Sequence, residues 1–296
     1  VIGVDVGYRR RDFFPRVVWW NLGRHSDRNA VRTVDEKIGN SGRQVLVIEG
    51  SDDVEAFELM LEKLAPEWSR GWVLAGGGQK SAVLEIVRRE PTWAGVVDRD
   101  EWADEKNEEL EAELRNLAVL PRYCLENYLI VPSELWAALP PKQKAKIPGG
   151  QQALQDKILE DLDRWVRHGV LWSVVNPLWE GLRSLGFKEK LLAVDIAEDD
   201  DEIKKILHEW HQFLKPEDIW ARYMDRLSDV VQKPIDEKLK VHVHGKEFYK
   251  KVVNPTLNEL LGQKRAEERQ FSIVRTLPRA YDLQPVLDRL GLVASN

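Results

Sequence analysis

Four short apolar runs rich in β-branched residues constrain the fold of this chain more than any other feature. Each run is four or five residues long, too short for a helix, and glycine or polar residues bound it, as is typical of buried strands. The runs are Gln44–Ile48, Gly71–Ala75, Trp93–Val97 and Leu117–Leu120. Helical spacing of apolar residues predicts helices between them, over Ser51–Glu62, Ser81–Arg89 and Ala103–Arg115. This alternation predicts an α/β fold with a parallel sheet and right-handed crossovers.

Changes in charge and in the spacing of apolar residues divide the chain into four regions. They are a basic N-terminal extension (1–42), the α/β core (43–135), a helical insert (136–239), and a segment that completes the core and ends in a tail (240–296). The insert repeats apolar residues at helical spacing, with proline and glycine between the repeats. In the last region, Lys240–His244 alternates apolar and polar residues, which favours a short strand, and Lys246–Val253 follows as a helix.

Composition restricts the class of protein. The 296 residues are 43% hydrophobic and 32% charged, and no apolar run approaches the roughly 20 residues that span a bilayer. Cys124 is the single cysteine and cannot form an internal disulfide, so we expect a cytoplasmic protein without a membrane partner. The net charge of -6 argues against a protein that coats nucleic acid. It is compatible with an enzyme that holds one phosphodiester through a metal ion and a few cations.

Acidic residues stand directly after two of the predicted strands. Glu49 ends the first strand, and Asp98 and Asp100 follow the third. Ligands of open parallel sheets bind beyond the carboxyl ends of the strands, and side chains two apart in extended backbone point the same way. We therefore expect the three carboxylates to converge on a cation, and hard oxygen ligands favour Mg²⁺ or Mn²⁺. The alternative is that these acids cap the helices that follow.

Several motifs carry a resemblance to a known family. Ile48–Asp53 resembles the first TOPRIM motif, hydrophobic-Glu-Gly-x-x-Asp, and Val96–Asp100 resembles the TOPRIM Asp-x-Asp motif. Three further segments, Gly76–Lys80, Tyr123–Leu129 and His244–Lys246, are similar to the standalone TOPRIM family allied to the OLD nucleases. That family includes the AriB-like toxin subunits of PARIS anti-phage systems.

The resemblance covers roughly residues 45–135 and resumes near His244. It implies a TOPRIM core with a helical insert, and metal-dependent hydrolysis of phosphodiesters. The metal ligands that it implies are Glu49, Asp53, Asp98, Asp100 and Glu126, the last facing a second metal. The catalytic residues that it implies are Glu49, Asp98, Asp100 and Lys246, a lysine placed near the scissile phosphate.

The resemblance also implies a substrate and partners. The substrate is tRNA, with DNA as the alternative, and the role is that of an anti-phage effector. No Walker A sequence occurs in this chain, so any ATPase sensor is expected to be a separate subunit. Association of two copies of this chain into a homodimer is a further alternative. The competing functions are a non-catalytic TOPRIM-like interaction module and an OLD-type DNA nuclease in DNA repair. Nucleotidyl transfer is disfavoured because zinc-finger and polymerase motifs are absent from the sequence.

Other features have two readings each. Gly76–Gly78 either cradles a phosphate, so that Gly77 and Lys80 bind substrate, or only permits a tight turn. His242 and His244 are residues of a type that binds zinc, but no other Cys or His cluster supports zinc.

Tryptophan and arginine are enriched at interfaces, so we expect one of two sets to dock on another subunit unless it fills a helix-packing core. The sets are Trp19, Trp20, Arg24 and Arg28 in the extension, and Trp165, Trp172 and Trp179 in the insert.

Overall fold

A computed structural model describes residues 42–50, 53–185 and 199–292. Its centre is a four-stranded sheet in which all neighbours pair in parallel, in the order β2-β1-β3-β4. The strands are β1 (Gln44–Glu49), β2 (Trp72–Gly78), β3 (Ala94–Val97) and β4 (Leu117–Val119). The predicted α/β fold with a parallel sheet is thus confirmed. The predicted extension apart from Gly42, with its Trp and Arg residues, lies outside the described residues, as do Ser51 and Asp52.

Burial explains why the four apolar runs become strands. β1 has a neighbour on each side, and Val45, Leu46 and Val47 are each at most 1% exposed. A parallel strand covered on both faces needs such a continuous apolar run. Four helices connect the strands: α1 (Asp53–Leu64), α2 (Trp68–Gly71), α3 (Lys80–Arg89) and α4 (Asp104–Glu113). They lie within a few residues of their predicted bounds, apart from the unpredicted α2.

The chain after β4 is helical in the part that the structure describes. A 3₁₀ turn at Leu125–Tyr128 precedes α5 (Pro132–Ala138), α6 (Pro141–Lys144), α7 (Gly150–Leu159), α8 (Leu162–Ser184), α9 (Asp200–Phe213), α10 (Pro216–Val231) and α11 (Ile235–Glu237). Then follow α12 (Gly245–Phe248), α13 (Asn254–Leu261), α14 (Ala266–Thr276), a 3₁₀ turn at Tyr281–Leu283 and α15 (Gln284–Arg289). Two wider π-helical turns occur, at Lys238–His242 and between α12 and α13 at Tyr249–Val253.

The strand predicted over Lys240–His244 is wrong, because most of it belongs to a π-helical turn. Leu239 and Val243 are both fully buried and are four residues apart, which is a helical spacing. The Asn127 side chain donates to the backbone oxygens of both, at 2.6 and 2.9 Å. The structure of this segment is therefore determined by hydrogen bonds to a distant residue and not by its local alternation of polar and apolar residues.

The described residues form two compact units. One contains residues 174–185 and 199–224, and the other contains residues 42–50, 53–173 and 225–292. The sheet and the whole of the predicted acidic site belong to the second unit. Among the described residues, no helix has the length and apolar character that crossing a bilayer would need.

We predict that Gly169→Ala destabilises the protein by about 1–3 kcal/mol, the usual cost of overpacking a core. Gly169 is buried in α8, and a Cβ there would collide with the backbone oxygen of His242. The new Cβ and the His242 oxygen are both fixed by the backbone, so no side-chain rotation relieves the clash. The matched control is Gly71→Ala, where a Cβ meets nothing within 4 Å. Equal urea midpoints for the two variants would contradict the close approach.

Candidate functional site

Two acidic residues meet at the carboxyl edge of the two central strands. Glu49 is the last residue of β1, and Asp98 directly follows β3, its neighbour in the sheet. The backbone N–H of Asp98 donates to Glu49 Oε2 at 3.2 Å. Asp98 is only 4% exposed. The structure therefore brings these two predicted site residues together through the pairing of their strands.

Asp53 joins the pair from the first position of α1. It is buried, and its Oδ2 lies 4.0 Å from the Lys246 amine. Gly50, with φ of +80°, makes room for it, because a Cβ at Gly50 would come within 2.5 Å of Asp53 Oδ2. A small cavity of about 10 Å³, the size that one water molecule needs, is lined by Glu49, Asp53 and Asp98 together with apolar residues.

Asp100 is placed differently from the expectation of extended backbone. Its φ is +52°, in the left-handed region that non-glycine residues seldom adopt, and its N–H donates to the backbone oxygen of Tyr123 at 2.8 Å. Its carboxylate accepts from the Lys80 amine at 2.5 Å. Lys80 also lies over the Trp102 ring, 4.0 Å from its centroid. Asp100 stays near enough to Glu49 and Asp98 for its charge to raise the pKa of both.

Lys246 reaches the acids from the start of α12. Its amine donates to Asp98 Oδ2 at 3.2 Å. Burial opposes its charge, but the carboxylates of Asp98, then Glu126 and Asp53, hold the pKa of Lys246 well above its ordinary value. The amine is therefore held in its charged form, in which it donates to Asp98.

Glu126 completes the acidic set from the 3₁₀ turn. It is buried, and its Oε2 accepts from the Cys124 thiol at 3.2 Å. The neighbouring Asn127 ties this turn to the segment before Lys246 through the bonds to Leu239 and Val243 described above. A Cβ at Gly245 would collide with the Asn127 amide oxygen. Asn127 and Gly245 thus position Glu126 and Lys246. Both lie within the motif segments quoted above, but the sequence assigned them no role.

Burial raises the pKa of the two central carboxyls. For Asp98, burial is the main cause, the Lys246 charge opposes it, and the charges of Asp100, Glu49 and Asp53 add to it. For Glu49, burial again dominates, while Lys80 and the Asp98 N–H lower the pKa in part. The lysines and N–H donors of the site therefore offset only part of the free energy that burying these charged carboxylates costs.

The charge balance of the site favours a cation. Its carboxylates are Glu49, Asp53, Asp98, Asp100, Glu101 and Glu126, and its ammonium groups are Lys80 and Lys246. Within the described ranges, no three Asp, Glu, His or Cys side chains are arranged as a metal cluster. Lys80 pairs with Asp100, and Lys246 pairs with Asp98. The donors are hard oxygens with excess negative charge, which fits Mg²⁺ or Mn²⁺.

Gly77 and Lys80 lie beside this edge in different settings. A Cβ at Gly77 would come within 2.5 Å of Val47 and 2.8 Å of Val83, so this glycine allows α3 to pack on the sheet. Lys80 begins α3 and is engaged by Asp100. His242 and His244 are half-buried, and burial lowers the pKa of both, to about 4 for His242.

No known protein family, curated protein or solved structure matches this chain.

We predict that Asp98→Asn raises the melting temperature at neutral pH without divalent metal, by roughly 2–4 °C for each kcal/mol of relieved burial cost. The raised pKa means that the folded protein binds this proton more tightly than the unfolded chain does. Stability linked to that proton is present at acidic pH and is lost as pH rises through the raised pKa. The advantage of Asp98→Asn should thus shrink as pH falls.

The comparison is a pH series of thermal melts for the wild type, Asp98→Asn and the control Glu108→Gln, which changes an exposed acid of α4. His242 has a lowered pKa and acts in the opposite direction, but it does so in all three proteins and cancels in the difference. A stability gain that is the same at every pH would refute the titration of Asp98.

Proposed function

We propose that this chain is a divalent-metal-dependent nuclease with a TOPRIM-type site. The observation that carries the proposal is the meeting of Glu49 and Asp98 at the ends of two adjacent parallel strands, with Asp53 and Lys246 beside them. These residues belong to the motifs that resemble the TOPRIM family. The excess of carboxylates over lysines supports the binding of a hard cation.

The residues have distinct parts in this proposal. Glu49, Asp53, Asp98 and Asp100 would hold Mg²⁺ or Mn²⁺, and Glu126 would face a second ion. When bound, such an ion polarises a phosphoryl oxygen and activates water. Glu49 would accept the proton of the attacking water as the new phosphorus–oxygen bond forms, and a solvent water would protonate the leaving oxygen as its bond to phosphorus breaks. Lys246 stays protonated and donates to a phosphate oxygen.

The direct test is cleavage by the purified chain of tRNA, single-stranded DNA and duplex DNA, with Mg²⁺ and with a chelator. We expect Glu49→Gln and Asp98→Asn to abolish cleavage, and Glu108→Gln to leave it intact. We also expect Mg²⁺ or Mn²⁺ to raise the melting temperature of the wild type and not that of Asp98→Asn, which reports metal binding without any substrate. Full activity of either site variant, or cleavage in chelator, would refute the proposed roles.

The proposal extends to a phage-defence effector that cuts tRNA, or DNA in the alternative, beside a separate ATPase sensor subunit. The resemblance supports this assignment, and exposed apolar side chains offer a surface for a partner. Val175 and Trp179 of α8 are 43% and 48% exposed. A partner or a second copy of the chain can bury such residues.

We predict that the chain co-purifies with the product of a neighbouring gene or, alone, scatters light with twice its mass. Trp179→Ala should weaken that association at least about tenfold, as expected for loss of a hot-spot tryptophan. This part of the proposal would be contradicted if the chain were monomeric, did not bind the product of the neighbouring gene, and cut nucleic acid at full rate alone.

A further inference from the structure

Six rings form a continuous row, here called the ring row, that starts beside the acidic site and follows α8. They are Tyr123, His244, Trp172, His168, Trp165 and Phe248. The centroids of Tyr123 and His244 are 5.2 Å apart, and the Trp172 ring meets His244 edge-on at 6.1 Å. His168 and Trp172 lie nearly parallel, at 14° and 6.4 Å. These are the spacings at which rings contact one another.

The inner end of the ring row is joined to the acidic site by backbone and side-chain contacts. The Tyr123 backbone oxygen accepts from the N–H of Asp100, and the Tyr123 hydroxyl donates to Glu101 at 3.1 Å. His244 lies two residues before Lys246, whose amine bonds Asp98. The ring row therefore begins where the proposed function places the reacting phosphate.

The middle of the ring row is exposed, and both of its ends, Tyr123 and Phe248, are buried. Trp165 meets Phe248 edge-on at 5.3 Å, and Phe248 is fully buried. Trp172 is 41% exposed and His168 is exposed. The side of α8 that packs in the core carries Val166 and Val170, whereas Trp165, His168 and Trp172 follow a separate helical stripe. Packing of α8 thus does not require an indole at position 172.

We propose that Trp172 and His168 are a stacking platform for an unpaired nucleobase that neighbours the phosphodiester held at the acidic site. Aromatic faces bind single-stranded nucleic acid by stacking, whereas the bases of a duplex keep their faces against one another. The ring row leads from the acids to two exposed and nearly parallel rings, which fits a strand whose phosphate lies at the acids. This inference rests on the proposed function and makes its substrate class unpaired nucleotides, in a single strand or in a loop.

The experiment measures the binding of a fluorescein-labelled single-stranded RNA, and of the same strand in a blunt duplex, by anisotropy in Mg²⁺. All proteins are the full chain with the acidic site intact, and the strand has phosphorothioate linkages, which resist hydrolysis, so that binding is separated from cleavage. The variants are Trp172→Ala, Trp172→Phe and the control Trp220→Ala, which removes an exposed tryptophan outside the ring row. Melting curves establish that each variant is folded.

We expect Trp172→Ala to weaken single-strand binding by about tenfold, the loss typical of one stacked base, and to leave duplex binding unchanged. Trp172→Phe should retain most of the affinity because it keeps an aromatic face, and Trp220→Ala should retain all of it. Equal binding of both nucleic acids, or unchanged affinity in Trp172→Ala, would overturn the platform. A change of mass by light scattering in Trp172→Ala would also overturn it, by showing a self-association face.

The two proposals fail in different ways in these measurements. If wild type cleaves in Mg²⁺ but Trp172→Ala binds single strands normally, the nuclease stands and the platform falls. If single-strand binding depends on Trp172 but no substrate is cut, the platform is a nucleic-acid-binding surface and the nuclease falls.

Discussion

The ion pair between Lys246 and Asp98 joins parts of the chain that are 148 residues apart, and the site depends on it. Burying a carboxylate costs free energy unless a cation or donor compensates it, and Asp98 lies at the end of a buried central strand. Lys246 supplies part of that compensation and also contacts Asp53. The late segment of the chain therefore docks at the sheet edge where the acids are, and it carries His244 and Phe248 of the ring row with it.

Asn127 makes this docking specific. Its amide nitrogen bonds two backbone oxygens of the segment before Lys246, and its amide oxygen accepts from the Cys124 N–H. A buried amide whose donors and acceptor are matched in this way tolerates few alternative positions of the two segments. The acids and the lysine are thus held by one network, so a change at Asn127 would displace Glu126 and Lys246 together.

The sheet could be predicted from the sequence because each strand is a local apolar run, and burial on both faces leaves little choice of structure. The meeting of Glu49 and Asp98 could be anticipated only as a tendency, since no local pattern states that β1 and β3 are neighbours. The left-handed backbone of Asp100 could not be predicted, because aspartate adopts that region more often than most residues but still seldom. The misassigned strand at Lys240–His244 has the same origin, because distant Asn127 decides the structure there.

The π-helical turn at Tyr249–Val253 lies between α12, which carries Lys246, and α13, which the buried Leu257 anchors. Such a turn is an α-helix that has gained one residue. Each residue of an α-helix advances the chain by about 100° around the axis, from 3.6 residues per turn. If α13 kept its position, loss of that residue would rotate α12 about its axis and move Lys246 away from Asp98. The rotation of α12 about its axis, and with it the position of Lys246, therefore depends on the number of residues in this turn as well as on their identity.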